Sequence, residues 1–250
     1  IQYHAKTLWL QPLAAFLCTV GLVGCAANQQ ANAVETTAAT NTPDSGKELP
    51  TWKIPNIPEA AEAYYAPDNL HVIAQTQDPA ATKKEGRASG ALTYTFTDQG
   101  ENIRRINDRG QDACSYFFPD NKRLVWTSTK DNLHMPMGNW SDSTDYPQGA
   151  ELYTSKLDGS DVRRLTNNEY YEAEVSVSPN GEWIVFGRQI DGEMDLWRMR
   201  PDGSDEQRIT FTKDWQEGAP VDLPANETIL RRPWNGRDIR AGGHTRPLTA

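Results

Sequence analysis

Cysteine and histidine, the side chains that most often carry nucleophilic or metal chemistry, are scarce in this chain. Its 250 residues include three cysteines and four histidines. Two of the cysteines lie near the N-terminus, so Cys114 is the single thiol of the rest of the chain, and one thiol cannot form an internal disulfide. A nucleophilic cysteine needs a histidine and an acid nearby, which the sequence does not suggest, so we interpret Cys114 as a small buried or channel-facing residue.

Recognisable catalytic motifs are also missing. The chain contains no H-E-x-x-H, G-x-S-x-G, phosphate-binding loop or C-x-x-C pattern, and these patterns carry the commonest metal, nucleophile, phosphate and redox sites. We therefore predict that the protein is not an enzyme, with no catalytic residue, no bound metal and no cofactor.

A basic surface is the third absence. Lysine and arginine number 25 against 34 aspartate and glutamate residues, which gives a formal net charge of −9, and the cations are scattered. Nucleic-acid binding depends on a basic face. We predict no nucleic-acid partner.

Short β-strands separated by tight turns are what the sequence does contain. Residues 172–178 alternate between apolar and polar side chains, which is typical of a half-buried strand. The turn Ser178-Pro179-Asn180-Gly181 then leads into the apolar run 183–186, and Asp191-Gly192 and 201–204 turn the chain twice more. This stretch predicts four antiparallel strands in one sheet.

The same pattern recurs along the chain. Each copy carries a proline at the same place in the pattern, and these prolines lie at positions 67, 119, 179 and 224, separated by 52, 60 and 45 residues. Each proline is followed by an apolar strand, and the copy at 119 repeats the later Asp-Gly turn and Arg-x-Thr ending as well. Four-stranded units at such a period are typical of the blades of a β-propeller.

This repeat resembles the WD40-like (PD40) repeat of the TolB-like β-propeller family. The resemblance implies an all-β fold, a β-propeller of four-stranded antiparallel blades. About three and a half blades are expected here, as a fragment of a six-bladed ring. We place the propeller at 55–232 and an irregular tail at 233–250, with blades at about 58–107, 108–167, 168–211 and an incomplete 212–232.

The N-terminal 25 residues have the pattern of an export signal. Lys6 precedes an apolar core too short to span a bilayer. The core ends in Leu22-Val23-Gly24-Cys25, which resembles a bacterial lipobox, and this implies that Cys25 carries a lipid. An ordinary signal peptide with an incidental cysteine is the alternative. Residues 26–54 are predicted to be a flexible tether, and Ala26 favours the outer membrane, facing the periplasm.

Acidic residues recur at a fixed distance from the blade prolines. Asp112, Glu172 and Glu217 each lie seven residues before one, and Glu62 and Glu174 lie five before. The first offset falls near the start of the innermost strand. We predict a negative channel mouth formed by Asp112, Glu172, Glu174 and Glu217, with Glu62 on the same surface, that binds a basic partner or a cation. The alternative is that these carboxylates cap turns or pair with nearby cations.

An insertion at 131–149 is longer than a hairpin turn requires, and long loops are often binding elements. Its default interpretation is an ordered surface loop. Two metal alternatives remain open: copper(I) on His134, Met135 and Met137, or calcium on three aspartates, Asp131, Asp142 and Asp145.

Together these features predict a non-catalytic cell-envelope lipoprotein, held to the membrane by its lipid, whose propeller binds a protein or peptide in the periplasm. One alternative is the gating propeller of a prolyl-oligopeptidase-type serine peptidase, and another is a propeller that binds carbohydrate. TolB itself is soluble and carries an additional α/β domain, so no TolB partner-binding residue is transferred to this chain.

Overall fold

The structure is a computed structural model that describes residues 51–76, 91–213, 215–222, 228–234 and 246–249. Within these ranges all regular structure is β, and no helical segment has the length and hydropathy of a transmembrane span. The predicted signal, its Cys25 and most of the predicted tether lie outside the described residues. The strands are β1 (Ala60–Tyr65), β2 (His71–Thr76), β3 (Leu92–Thr97), β4 (Arg104–Arg105), β5 (Asp112–Phe117), β6 (Arg123–Ser128), β7 (Glu151–Lys156), β8 (Arg163–Arg164), β9 (Tyr171–Val177), β10 (Ile184–Ile190), β11 (Glu193–Met199), β12 (Gln207–Arg208), β13 (Gln216–Asp222), β14 (Thr228–Trp234) and β15 (Arg246–Thr249).

Successive strands pair antiparallel into four-stranded sheets. The first two sheets have the orders β1-β2-β3-β4 and β5-β6-β7-β8, and β9 to β12 repeat the arrangement. Strands β13, β14 and β15 follow as a further antiparallel set, joined to the third sheet by one parallel pairing between Met194 and Gln216. The predicted fold class is confirmed.

The turn chemistry explains why the sheets form where they do. At the third blade proline the Gly181 N–H donates to the Ser178 carbonyl at 2.8 Å, and Gly181 has a φ of 73°. At the second, the Asn121 N–H donates to the Phe118 carbonyl at 3.0 Å, and Asn121 has a φ of 52°. Asparagine and glycine tolerate this left-handed conformation better than other residues, so these turns form locally and fix the strand register.

The first strand of each sheet lies innermost. Strand β5 packs against β1 and β9, and β9 packs against β5 and β13. Between the sheets the side chains are apolar: Phe118, Val125 and Leu152 of the second sheet join Ala173 and Val175 of the third in one buried cluster. Such contact between sheets covers the faces that an isolated sheet would leave exposed.

The end of the chain differs from the expectation. The predicted irregular tail at 233–250 contains β15, which pairs antiparallel with β14, and β14 itself extends to Trp234. The pattern Arg-Pro-Leu-Thr of β15 is too short to show alternation. Its pairing with β14 therefore could not be recognised from the sequence.

Candidate functional site

The carboxylates seven residues before the blade prolines are buried. Asp112 is 5% exposed, and Glu172 and Glu217 are 0% exposed. Each lies at the first or second position of an inner strand, as the offset predicted. Burial of a carboxylate is unfavourable unless hydrogen bonds or an opposite charge compensate for the lost hydration, so their partners decide what they do.

The partners of Glu172 belong to a network between the second and third sheets, which we call the inter-blade latch. Asn168 Nδ2 donates to Glu172 Oε1 at 2.8 Å, and the Asn168 N–H donates to Glu151 Oε1 at 2.5 Å. Arg164 Nη2 donates to the same Glu151 oxygen at 3.0 Å. Arg188 completes the latch, with its Nε 2.6 Å from Glu172 Oε1. Burial raises the pKa of Glu172, although the positive charge of Arg188 acts in the opposite direction.

The following blade repeats the latch with different side chains. Arg208 donates to Asp195, and the Thr212 N–H donates to Asp195 Oδ1 at 3.1 Å. Thr212 Oγ1 then donates to Glu217 Oε1 at 2.8 Å. The acid, arginine, polar residue and second acid thus stand at equivalent positions in both networks, which shows that the latch is a property of the repeat.

Asp112 forms a smaller hydrogen-bond network of the same kind between the first two sheets. Its Oδ2 accepts from the Thr93 N–H at 2.7 Å, and its Oδ1 accepts from Asn107 Nδ2 at 2.6 Å. Burial raises the pKa of Asp112 to about 6, against the hydrogen bonds, which lower it.

These contacts correct the expectation of an open acidic mouth for Asp112, Glu172 and Glu217. All three carboxylates are enclosed between neighbouring sheets, where they accept hydrogen bonds that join one blade to the next. The physical reason is that each inner strand begins against the preceding sheet, where donors are close. Their arrangement corresponds to the alternative of capping and pairing.

The positions five residues before the prolines are brought together instead. Glu62 in β1, Cys114 in β5 and Glu174 in β9 lie on successive inner strands, and we call them the axial cluster. One ligand atom of each, two carboxylate oxygens and the Cys114 sulfur, lie within 4.8 Å of one another. Among the described residues this is the one group of three acidic, cysteine or histidine side chains gathered so closely.

A β-bulge presents each member of the axial cluster. The strand register shifts at all three positions, and φ is 49° at Glu62, 34° at Cys114 and 55° at Glu174. Residues other than glycine adopt this left-handed backbone conformation at a cost of about 1–3 kcal/mol. Bulges redirect a side chain out of the alternation of the strand. The bulge explains why residues two positions apart in one strand, such as Glu172 and Glu174, have such different surroundings.

Direct contacts join two members of the cluster. The Cys114 N–H donates to Glu62 Oε2 at 2.5 Å, and the Cys114 thiol donates to Glu62 Oε1 at 3.4 Å. Cys114 is 6% exposed. Burial, and then the negative charges of Glu174 and Glu62, raise the pKa of the Cys114 thiol well above its usual value.

Tyrosines surround the axial cluster. The rings of Tyr64 and Tyr116 lie 5.3 Å apart between β1 and β5. Burial first, and then the charges of Cys114 and Glu62, raise the pKa of Tyr64 to about 12. The tyrosines therefore stay protonated and can donate hydrogen bonds at neutral pH.

The insertion at 131–149 packs onto the start of β9. Tyr146 stacks on Tyr171 with ring centroids 4.1 Å apart, and Trp140 meets Tyr171 edge-on at 5.7 Å. Trp140 also donates from Nε1 to Gln111 Oε1 at 2.7 Å, which ties the insertion to the loop before β5. The interpretation of an ordered loop fits these contacts.

Beside the insertion lies a groove of about 370 Å³, which we call the insertion groove. Its wall carries three carboxylates and, among the described residues that line it, no lysine or arginine. Tyrosines and prolines supply its apolar surface. The three carboxylates are those of Asp145, Glu169 and Asp191, and Tyr146 and Tyr170 also line the groove.

Two of the three loop aspartates predicted as calcium ligands have other partners. Asp131 accepts from Arg109 Nη2 at 2.8 Å and from the Tyr153 hydroxyl at 3.1 Å, and Asp142 accepts from the Thr144 N–H at 2.9 Å. These aspartates form no three-residue ligand group in the described part of the chain. His134, Met135 and Met137 lie in the same loop, and the copper(I) alternative stays a prediction.

Sequence reasoning did not predict two parts of this site. The axial cluster was signalled by the alignment of Cys114 with Glu174, both five residues before a proline. The latch was signalled by the recurring Arg-x-Thr at 164–166 and 208–210. Neither signal shows which way the side chains point or which residues they meet, because contacts between blades join residues far apart in the chain.

Comparison with known sequences finds relatives of low identity. No protein-family model matches the chain. An uncharacterized protein of Agrobacterium fabrum is 27% identical over 205 residues, which make up 72% of this chain and 67% of that protein. A Clostridium botulinum protein named as a probable transcriptional regulatory protein is 24% identical over 164 residues, 62% of this chain and 63% of its own length.

Two solved structures share the fold. A protein described as TolB from Agrobacterium tumefaciens aligns with a TM-score of 0.53 and 20% identity, over 74% of this chain and 64% of its own. TolB from Acinetobacter baumannii aligns with a TM-score of 0.51 and 17% identity, over 74% and 44%. The chain thus spans about two thirds or less of the proteins it matches. The described residues have the fold of TolB-like β-propellers.

Proposed function

We propose that this protein is a non-catalytic lipoprotein of the bacterial cell envelope, anchored through Cys25, whose propeller binds a basic segment of a protein or peptide partner. The observation that supports this best is the insertion groove. It combines acidic and aromatic side chains at a loop, and loops carried on a rigid scaffold are common binding elements.

The chemistry of the groove favours a cationic ligand. Asp145, Glu169 and Asp191 attract lysine and arginine, while the faces of Tyr146 and Tyr170 offer cation–π and apolar contacts. Tyr170 is 41% exposed, so it is accessible to a partner. The net charge of −9 supports the same preference by attracting basic segments over a longer range.

A fluorescence-anisotropy titration with a labelled ten-residue peptide of alternating arginine and glycine tests the proposal. We expect binding to the full chain that weakens as salt increases. The double substitution Glu169→Gln/Asp191→Asn is expected to raise the Kd by about 10-fold, because each exposed charge pair contributes up to about 1 kcal/mol.

The control is Asp158→Asn, which removes an exposed carboxylate on the β7–β8 turn outside the insertion groove. It is expected to leave the Kd unchanged. Equal weakening by the control and the double substitution, or no binding at about 1 mM peptide, would contradict the assignment of the groove.

A further inference from the structure

Two members of the axial cluster, Cys114 and Glu174, line a small, partly open cavity between the inner strands. A cavity of about 40 Å³ is lined by Tyr64, Cys114, Tyr116, Glu174, Val175, Ser176 and Pro220. These residues come from the inner strands β1, β5, β9 and β13. Such a volume holds an ion together with one water molecule.

The buried hydroxyl of Ser176 is an independent indication that this cavity binds a polar ligand. It is 3% exposed, and its Oγ has no hydrogen-bond partner among the described residues. Buried hydroxyls nearly always find a partner, from protein, ordered water or an ion. An unpartnered buried hydroxyl that lines a cavity therefore points to an ion or a water molecule as its partner.

The donors fit one class of metal. From this geometry we infer that Glu62, Cys114 and Glu174 form a binding site for a zinc-type divalent cation. Zinc accepts thiolate and carboxylate ligands together, in a tetrahedral arrangement. A purely oxygen-binding cation such as calcium would not select the thiol.

The distances are close to those that such an ion requires. With metal–ligand bonds of about 2.0–2.3 Å, tetrahedral donors lie about 3.3–3.8 Å apart. Cys114 Sγ and Glu62 Oε1 are already 3.4 Å apart, and all three donor atoms lie within 4.8 Å of one another. Donor atoms at the upper limit of 4.8 Å would have to approach one another by about 1 Å to reach this range. The fourth position would hold a water molecule, for which the Ser176 hydroxyl is a partner.

The charge of the cavity also favours a cation. Two carboxylates converge on a buried sulfur, and no lysine or arginine is among the described residues that line the space. Like charges held this close repel one another unless an opposite charge offsets them. A divalent cation supplies that charge at the position where the strands converge.

Isothermal titration of the full chain with Zn²⁺ after chelator treatment tests the site. We expect one ion per chain, and we expect Cys114→Ser and Glu174→Gln each to weaken binding by at least about 10-fold, because even indirect disturbance of a metal site costs that much. Glu182→Gln, which removes an exposed carboxylate of the β9–β10 turn, is the matched control and is expected to bind as the wild type does.

Co²⁺ provides a second measurement that does not depend on whether the variants fold. Bound to the wild type, it is expected to show a thiolate-to-cobalt charge-transfer band in the near ultraviolet. Co²⁺ binding without that band, no Zn²⁺ binding by the wild type, or unchanged Zn²⁺ affinity in Cys114→Ser would each overturn the inference.

Discussion

Replacing Arg188 with methionine is expected to lower the free energy of unfolding by about 3–5 kcal/mol, because it removes one partner of a buried ion pair. Arg188 is 5% exposed and Glu172 is 0% exposed, so water cannot take over the lost contact. The guanidinium also pairs with Glu206 at 2.6 and 2.8 Å and lies 4.4 Å from the Trp197 ring centroid. Its loss therefore affects the sheet and the inter-blade latch together.

Urea denaturation at neutral pH measures this effect. Arg163→Met is the matched control, since Arg163 is exposed and its ion-pair partner Asp161, 3.4 Å away, is exposed as well. Exposed pairs of this kind contribute up to about 1 kcal/mol. Adding Glu172→Gln to Arg188→Met is expected to recover much of the loss, because the uncompensated buried charge is removed. A loss below about 1 kcal/mol in Arg188→Met would contradict the role of the latch.

The pH dependence of Arg188→Met has a definite sign. Burial already raises the pKa of Glu172, and loss of Arg188 removes the charge that lowers it. A group whose pKa is raised in the folded state favours folding when it is protonated. The variant is therefore expected to regain stability relative to wild type as the pH falls towards the ordinary glutamate pKa of 4.5.

Cys25→Ser is expected to move the protein from the membrane pellet to the soluble periplasmic fraction. The thiol of Cys25 is the atom that a lipidating enzyme would modify, and serine cannot replace it. Stable anchoring depends on buried acyl chains, each buried CH₂ contributing about 0.8 kcal/mol. Removing the lipid should therefore release nearly all of the protein.

Fractionation of cells followed by immunoblotting measures the release. Cys18→Ser is the control, because it changes the other cysteine of the same segment without touching the predicted lipid site. The control should pellet as the wild type does. Pelleting of Cys25→Ser to the same extent would show that the anchor lies elsewhere.

The sheets could be predicted from the sequence because they depend on local chemistry. A turn such as Ser178-Pro179-Asn180-Gly181 fixes a strand junction within four residues, and the apolar run after it fixes the next strand. The repetition of this unit then identifies the architecture, since one sheet cannot cover its own faces.

The site could be predicted only in part. Counting back from each proline located the inner strands and selected Glu172 and Glu174 together, as if both faced the channel. In a regular strand residues two apart share a face, but the bulge at Glu174 breaks that alternation. The latch depends on the neighbouring sheet, so Glu172 could be assigned to it only from the structure.

In this fold the first strands of successive sheets converge, so that side chains one repeat apart become neighbours. Nuclear Overhauser effects between tyrosine rings test this most directly, in protein with selectively labelled tyrosine and with Tyr64→Phe and Tyr116→Phe used for assignment. We expect a cross-peak between Tyr64 and Tyr116, whose ring centroids are 5.3 Å apart although the residues are 52 positions apart in sequence. Assigned resonances for both rings with no cross-peak between them would contradict it.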